Sequence, residues 1–140
     1  MDPISIASGI VSLSASAFKL AVALDQLIED CKAVDEEMTT LQAELRNLSA
    51  VLKRLQNYVE GPGLSSVLPR DLIMDLGPII QATKATFLRL EDLFHRLQKG
   101  GLGMVNRFRW VYNAKDMSKL KTDLSAHKLT LNMTLTMVTW

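Results

Sequence analysis

VDEEMTTLQAELRNLSAVLKRLQNYV, residues 34–59, places Val34, Met38, Leu41, Leu45, Leu48, Leu52, Leu55 and Val59 at alternating intervals of four and three. Steps of that size return to one side of a helix that turns every ~3.6 residues, so these positions form an apolar seam over more than three heptads. Asp35, Glu36 and Glu37 stand at its start, where negative charge is favourable at the N-terminal end of a helix dipole. A seam of this kind must be covered, either by a partner chain or inside its own bundle. The chain's other segments need the same cover, and the intramolecular arrangement is the one expected.

Those segments flank the seam. EGPGLSSVLP (60–69) is a loop by its Gly, Pro and Ser content. Helical periodicity resumes with Leu72, Ile73, Leu76, Ile80, Thr83, Phe87, Leu90, Phe94 and Leu97, and Gly77-Pro78 is expected to kink that helix or split off its first two turns. KGGLG (99–103) ends it. A short helix is expected over 104–113, and a last one from about Asp116, with Met117, Leu120, Leu124, Leu131, Leu135 and Val138 inward. The tail LTLNMTLTMVTW also alternates at Leu129, Leu131, Met133, Leu135 and Met137, a strand signal. No other segment could pair with such a strand, so helix is expected there too. The fold class predicted is all-α, a bundle of four to five helices forming one domain over residues 1–140.

Composition agrees with that reading. Of 140 residues, 48% are hydrophobic and 22% charged, close to the soluble globular average, and aromatics are only 6%. The lone Cys31 has no internal partner, so nothing in the chain is built for an oxidising compartment. It reads as an inert thiol on a helix. Net charge is +1 but unevenly spread: residues 1–60 hold nine acids and five bases, whereas residues 95–140 hold two acids and eight bases. A basic end can serve an anionic surface or pair with acidic helices of the same bundle.

The opening stretch, MDPISIASGIVSLSASAFKLAVALDQ, carries a single charge between Pro3 and Leu24, at Lys19. Ala15-Ser16-Ala17 and Ala21-Val22-Ala23 look like small-x-small cleavage sites, but no positive region precedes the apolar run, which argues against a secretory signal. Asp2 and Pro3 read instead as N-cap and first helical residue. At 100° per residue, Ile4, Ile10, Val11, Phe18, Val22 and Ile28 share one side, and Ile6, Leu13, Leu20, Leu24 and Leu27 widen the arc past half the circumference. The polar stripe is narrow and mostly small: Ser5, Ser8, Ser12, Ser16, Lys19 and Gln26. A run of about 21 residues could span a hydrocarbon core of about 30 Å, and Ser8, Ser12 and Ser16 at i, i+4 would let helices approach closely there. Five serines make a poor permanent span. The expected resting state is a soluble bundle, with the arc covered by the second, third and last helices.

Chemistry-bearing motifs are sparse. His95 and His127 lack companions at metal-ligand or catalytic spacing, and Gly100-Gly101-Leu102-Gly103 lacks the Lys-Ser/Thr of a phosphate loop. No enzyme, metal or cofactor is expected. Asn47-Leu48-Ser49 and Asn132-Met133-Thr134 match glycosylation sequons inside expected helices and are taken as chance. Arg107, Arg109, Lys115, Lys119 and Lys121, with Trp110 and Tyr112 among them, form a basic patch. It could meet anionic lipid at the headgroup level or be a solvated helix face; nucleic acid is not the expected partner.

MDPISIASGIVSLSASAFKL, LQAELRNLSAVLKRLQ and RWVYNAKDMSKLKTDLSAHKLTLNMTL together resemble the HeLo-like domain found at the N-terminus of fungal STAND (NLR-like) proteins. The resemblance implies a helical bundle that acts as a non-enzymatic cell-death or heterokaryon-incompatibility effector of innate immunity. In that picture the domain is cytoplasmic at rest, homo-oligomerises on activation by an NLR-like receptor in cis or trans, and engages anionic lipids of the plasma membrane. The residues of membrane insertion would be Ile4, Ile6, Ile10, Val11, Leu13 and Phe18, with Ser8, Ser12 and Ser16 as the helix-packing stripe. Those serines, with Ser14, depart from the glycine-rich versions of the helix. The rival expectation is a soluble homotypic adaptor that regulates a larger receptor without touching lipid. No nucleotide-binding domain follows within these residues, so a domain cut from a receptor or a short stand-alone protein is expected.

Overall fold

The computed structural model describes residues 3–29, 36–60, 70–98 and 114–138. They form four helices, α1 (Pro3–Glu29), α2 (Glu36–Val59), α3 (Arg70–Gln98) and α4 (Ala114–Val138), with no strand among the described residues. The short helix expected over 104–113 lies outside them, as do Cys31, Val34, Arg107, Arg109, Trp110 and Tyr112. The side chains of Ile4, Leu72, Ile73, Leu97 and Val138 are likewise not described.

The α2 seam is the inner face of the bundle. Met38, Leu41, Leu45, Leu48, Leu52 and Leu55 are buried, Val59 packs at the edge, and Val51 joins them from the flank. On α3 the buried residues are Leu76, Ile80, Thr83, Thr86, Phe87, Leu90, Leu93 and Phe94, and on α4 Met117, Leu120, Leu124, Leu131, Thr134 and Leu135. One continuous cluster joins all four helices. A fully buried leucine contributes about 1.5–3 kcal/mol relative to an exposed one, so the shared seam is the main source of stability.

The helices pack in a ring. α1 lies against α2 and α3, and α4 also lies against α2 and α3, which puts α1 diagonally across from α4. Of the three helices expected to cover α1, α2 and α3 are its main neighbours, and α1 is left partly uncovered. The seven steps from Glu29 to Glu36 reach at most ~25 Å, less than the ~36 Å length of α2, and Asp25 near the end of α1 meets Gln42 and Arg46 in the first half of α2, so the two run antiparallel. On the far side, Thr86 faces His127 and Arg89 faces Asp123, so α3 and α4 are antiparallel too.

Two ambiguous segments resolve through backbone bonding. The tail is helical to Val138, with Leu131 and Leu135 buried and Leu129, Met133 and Met137 outside. Its threonines donate to carbonyls one turn back: Thr130 to Ala126 at 3.0 Å, Thr134 to Thr130 at 3.0 Å and Thr136 to Asn132 at 2.9 Å. The buried hydroxyls of Thr83 and Thr86 reach the carbonyls of Ile79 and Ala82 in the same way. Pro78 does not divide α3, which runs unbroken from Arg70 to Gln98. The proline leaves the Met74 carbonyl without its helical donor, but Met74 and Pro78 are both on the exposed side, where solvent can reach that carbonyl.

Gly9 of α1 packs closely on Ile80 of α3. A Cβ there would stand 3.1 Å from Ile80 Cγ2 and 3.4 Å from Ile80 Cδ1, so a glycine is what lets the two backbones close up. Gly9→Leu should wedge them apart at a loss of about 1–3 kcal/mol, the range for overpacked contacts. Leu48→Ala should cost about 2–5 kcal/mol, and Met133→Ser, at an exposed site, less than about 0.5 kcal/mol. Urea unfolding of the three variants measures all of these, and a Leu48→Ala loss below 0.5 kcal/mol, equal to the surface control, would show that the seam is not the core.

Candidate functional site on the first helix

α1 presents three faces. Its buried apolar residues are Ile6, Ile10, Leu13, Ala17, Leu20, Leu24 and Leu27, again at steps of four and three, with Ser14 buried beside them. The second face points outward and is also apolar: Val11 is half-buried, Ala15 exposed, Phe18 66% exposed and Val22 51% exposed. The third is the serine stripe, with Ser8 and Ser12 exposed and Ser16 half-buried. It borders an open groove of about 860 Å³ between α1 and α3.

The six residues expected to form one insertion surface are thus divided. Ile6, Ile10 and Leu13 belong to the core, Phe18 faces solvent and Val11 lies between, while the Ile4 side chain is outside the described set. The wheel reading centred the arc on Ile10, Val11, Phe18 and Val22, but packing centres it on the seam from Ile6 to Leu27. The four-and-three spacing of that seam was present in the sequence. It was masked by Ala17, which is small, and by neighbouring residues just as apolar as those in it.

Charged side chains clasp three of the four packed helix pairs. Asp25 on α1 accepts hydrogen bonds from Gln42 Nε2 and from Arg46 Nη2 of α2, the latter at 3.0 Å. The Gln42 bond, helped by the bond and charge of Arg46 and opposed by partial burial, holds the Asp25 carboxyl below the usual carboxylate range. Lys128 of α4 meets Glu44 of α2 at 3.0 Å, both side chains being mostly buried. Between α3 and α4, Arg89 donates to Asp123 at 2.9 Å and to Thr86 Oγ1 at 3.2 Å, and Thr86 Oγ1 lies 2.8 Å from His127 Nε2. The ion pair described for α1 is that of Asp25 with Arg46 of α2.

Three residues of the basic patch are described. Lys115 and Lys119 are exposed one turn apart on the outer side of α4, whereas Lys121 is half-buried toward the opposite side. Arg107 and Arg109 lie outside the described residues. Sequence reasoning passed over two features of this surface: the α3 wall of the groove, with Lys84, Phe87, Leu88 and Phe94, and the polar cluster around His127. Neither had a motif. Both arise only when α3 is set beside its neighbours.

Fold and surface define a class: an all-helical bundle domain whose first helix, over Ser5–Glu29, is long and apolar enough to cross a membrane although only 33% of its apolar window is buried. The chain belongs to the PigL_N family, described as pigment biosynthesis cluster protein PigL N-terminal, whose family model matches residues 1–140. No curated protein and no solved structure matches it.

Burial of His127 lowers its pKa, Arg89 acting in the same direction and Asp123 against it. The unfolded chain therefore takes up the proton first as pH falls. Stability should be fully present above the ordinary histidine value of about 6.5 and decline as pH drops through it. Urea midpoints measured between about pH 7.5 and 5.5 should fall for the parent and flatten in His127→Gln; equal slopes would show that this group does not couple to folding. The Asp25 clasp acts lower, lost as pH falls through its depressed carboxylate pKa, and at 41% side-chain exposure it is a minor contributor.

Proposed function

We propose that this domain is a non-enzymatic membrane-targeting effector, in which α1 leaves the bundle on activation, enters an anionic membrane and assembles with α1 of other copies. The observation that carries this reading is the unspent apolar surface of α1. Phe18 and Val22 face water from a helix whose opposite side already fills the core. A bundle helix needs one apolar stripe, and this one has a second. Its attachment is suited to release, because Asp25 clasps it to α2 by partly exposed groups while its contact with α3 has no ion pair among the described residues. In lipid, Ser8, Ser12 and Ser16 would bring helices close together. The exposed Lys115 and Lys119 would add attraction to anionic headgroups, about 1 kcal/mol for each base near the surface.

The resemblance to HeLo-like domains supports the same picture, with a resting form in the cytoplasm, an acting form at the plasma membrane, and an NLR-like receptor as activator. The family description speaks of the N-terminal part of a pigment-cluster protein, which is compatible with a module that a larger protein carries. A second reading, a soluble homotypic adaptor, draws on α4, where Leu129, Met133 and Met137 are each at least 60% exposed on one outer face. Such a strip would dock a partner helix without lipid.

Phe18→Glu separates the two. The site is exposed in the bundle, so stability should change by less than about 0.5 kcal/mol, whereas the same charge at a bilayer centre costs about 2.5–3.5 kcal/mol. Dye release from anionic liposomes, with the protein clustered through a fused oligomerising tag, should be strong for the parent and largely lost in Phe18→Glu. Full leakage by the folded variant, or none by the clustered parent, would leave the adaptor reading standing.

A further inference from the structure

We propose that the groove between α1 and α3 is a binding site for a long-chain carboxylate, with the chain along its apolar floor and the carboxylate between Ser12 and Lys84. The floor is made by Leu13 and Leu20 of α1 and by Ile80, Phe87 and Phe94 of α3. At about 860 Å³ the groove falls within the ~300–1,000 Å³ usual for small-molecule sites. It stays open because the α1 wall carries serines where larger side chains would fill it.

The lining fixes the direction and length of the site. Gly9 packs on Ile80, and from that contact the lining continues C-terminally on both helices, to Ala23 on α1 and to His95 on α3. The two helices therefore run the same way. At 1.5 Å per residue the groove extends about 21 Å beyond the Gly9–Ile80 contact. One chain of a bilayer lipid covers half of a ~30 Å hydrocarbon core, about 15 Å. The groove is long enough for such a chain and one polar head.

Two lysines line the groove, and Lys84 alone has no carboxylate at its height, since Lys19 stands about 15 Å past Gly9, level with Glu91 about 17 Å past Ile80. Ser12 lies three residues past Gly9 and Lys84 four past Ile80, so they stand at nearly the same height on opposite walls, about 5 Å and 6 Å along the axis. Both are exposed, and neither side chain has a hydrogen-bond or ion-pair partner among the described residues. A hydroxyl and an ammonium facing each other over an apolar floor supply two donors to a carboxylate. From there a chain of ~15 Å reaches the level of Phe94. Glu91 and His95 sit toward that far end, away from the head, and Glu91 disfavours the opposite orientation. The site does not require α1 to enter a bilayer, so its failure and the failure of the membrane reading are separable.

The test titrates the purified protein with dodecanoate below its micellar concentration, by calorimetry and by the shift of the thermal unfolding midpoint. Saturable binding of one molecule per chain and a raised midpoint are expected. Lys84→Glu should weaken binding by about tenfold or more, the loss of a charge-assisted contact and its replacement by repulsion. Ser12→Trp should abolish it by filling the groove, with the unfolding curve of the free variant reporting its fold. Phe18→Glu should bind like the parent, and dodecanol should bind more weakly than dodecanoate. Absence of saturable binding, binding that both groove variants leave unchanged, or association only with anionic phospholipid vesicles would each overturn the proposal.

Discussion

Ile6, Ile10, Leu13, Ala17, Leu20, Leu24 and Leu27 on α1 repeat the four-and-three spacing that runs from Met38 to Leu55 on α2. Two helices with that spacing bury both seams only when they lie side by side at a shallow angle, about 20°, because any steeper crossing takes the ends of the seams out of contact. Antiparallel pairing of α1 and α2 follows from their short connection, and α3 and α4 close the remaining sides of the same apolar channel. Because the seam is a single stripe, it covers only part of a helix. What remains on α1 is the outer apolar face of Phe18 and Val22 and the serine stripe.

Polar contacts then make the four sides of the bundle unequal. Asp25–Arg46, Glu44–Lys128 and Arg89–Asp123 each tie one pair of helices, the last backed by Thr86 and His127. The α1–α3 side relies on apolar contact and on the close approach at Gly9. Small residues give that side a groove in place of interlocking large side chains. The side of the bundle without a described ion pair is thus formed by α1, whose outer face carries Phe18 and Val22.

The helices and most core positions were legible in the sequence. The seam of α2 from Met38 to Leu55, the inward residues of α3 from Leu76 to Phe94 and those of α4 from Met117 to Leu135 are all buried, because local spacing alone decides which residues share a face. The threonine-rich tail was harder, since its alternation also suits a strand, and what decided it was the lack of a partner strand. The arrangement of α1 was misread. Its apolar arc was wide enough to admit several centres, and with apolar residues around most of the helix the pattern no longer states which third faces inward.

The sequence by itself determined that this chain makes amphipathic helices, roughly where they begin and end, and that the first is more apolar than a bundle helix requires. Each of these is set by residues a few positions apart. Only the tertiary structure decided that α1 lies diagonal to α4, that Phe18 and Val22 face water while Ile6 and Ile10 do not, and that Ser12 stands across a groove from Lys84. These depend on how much of α1 two neighbouring helices can cover, and coverage is a property of the packed helices together, which no local spacing records.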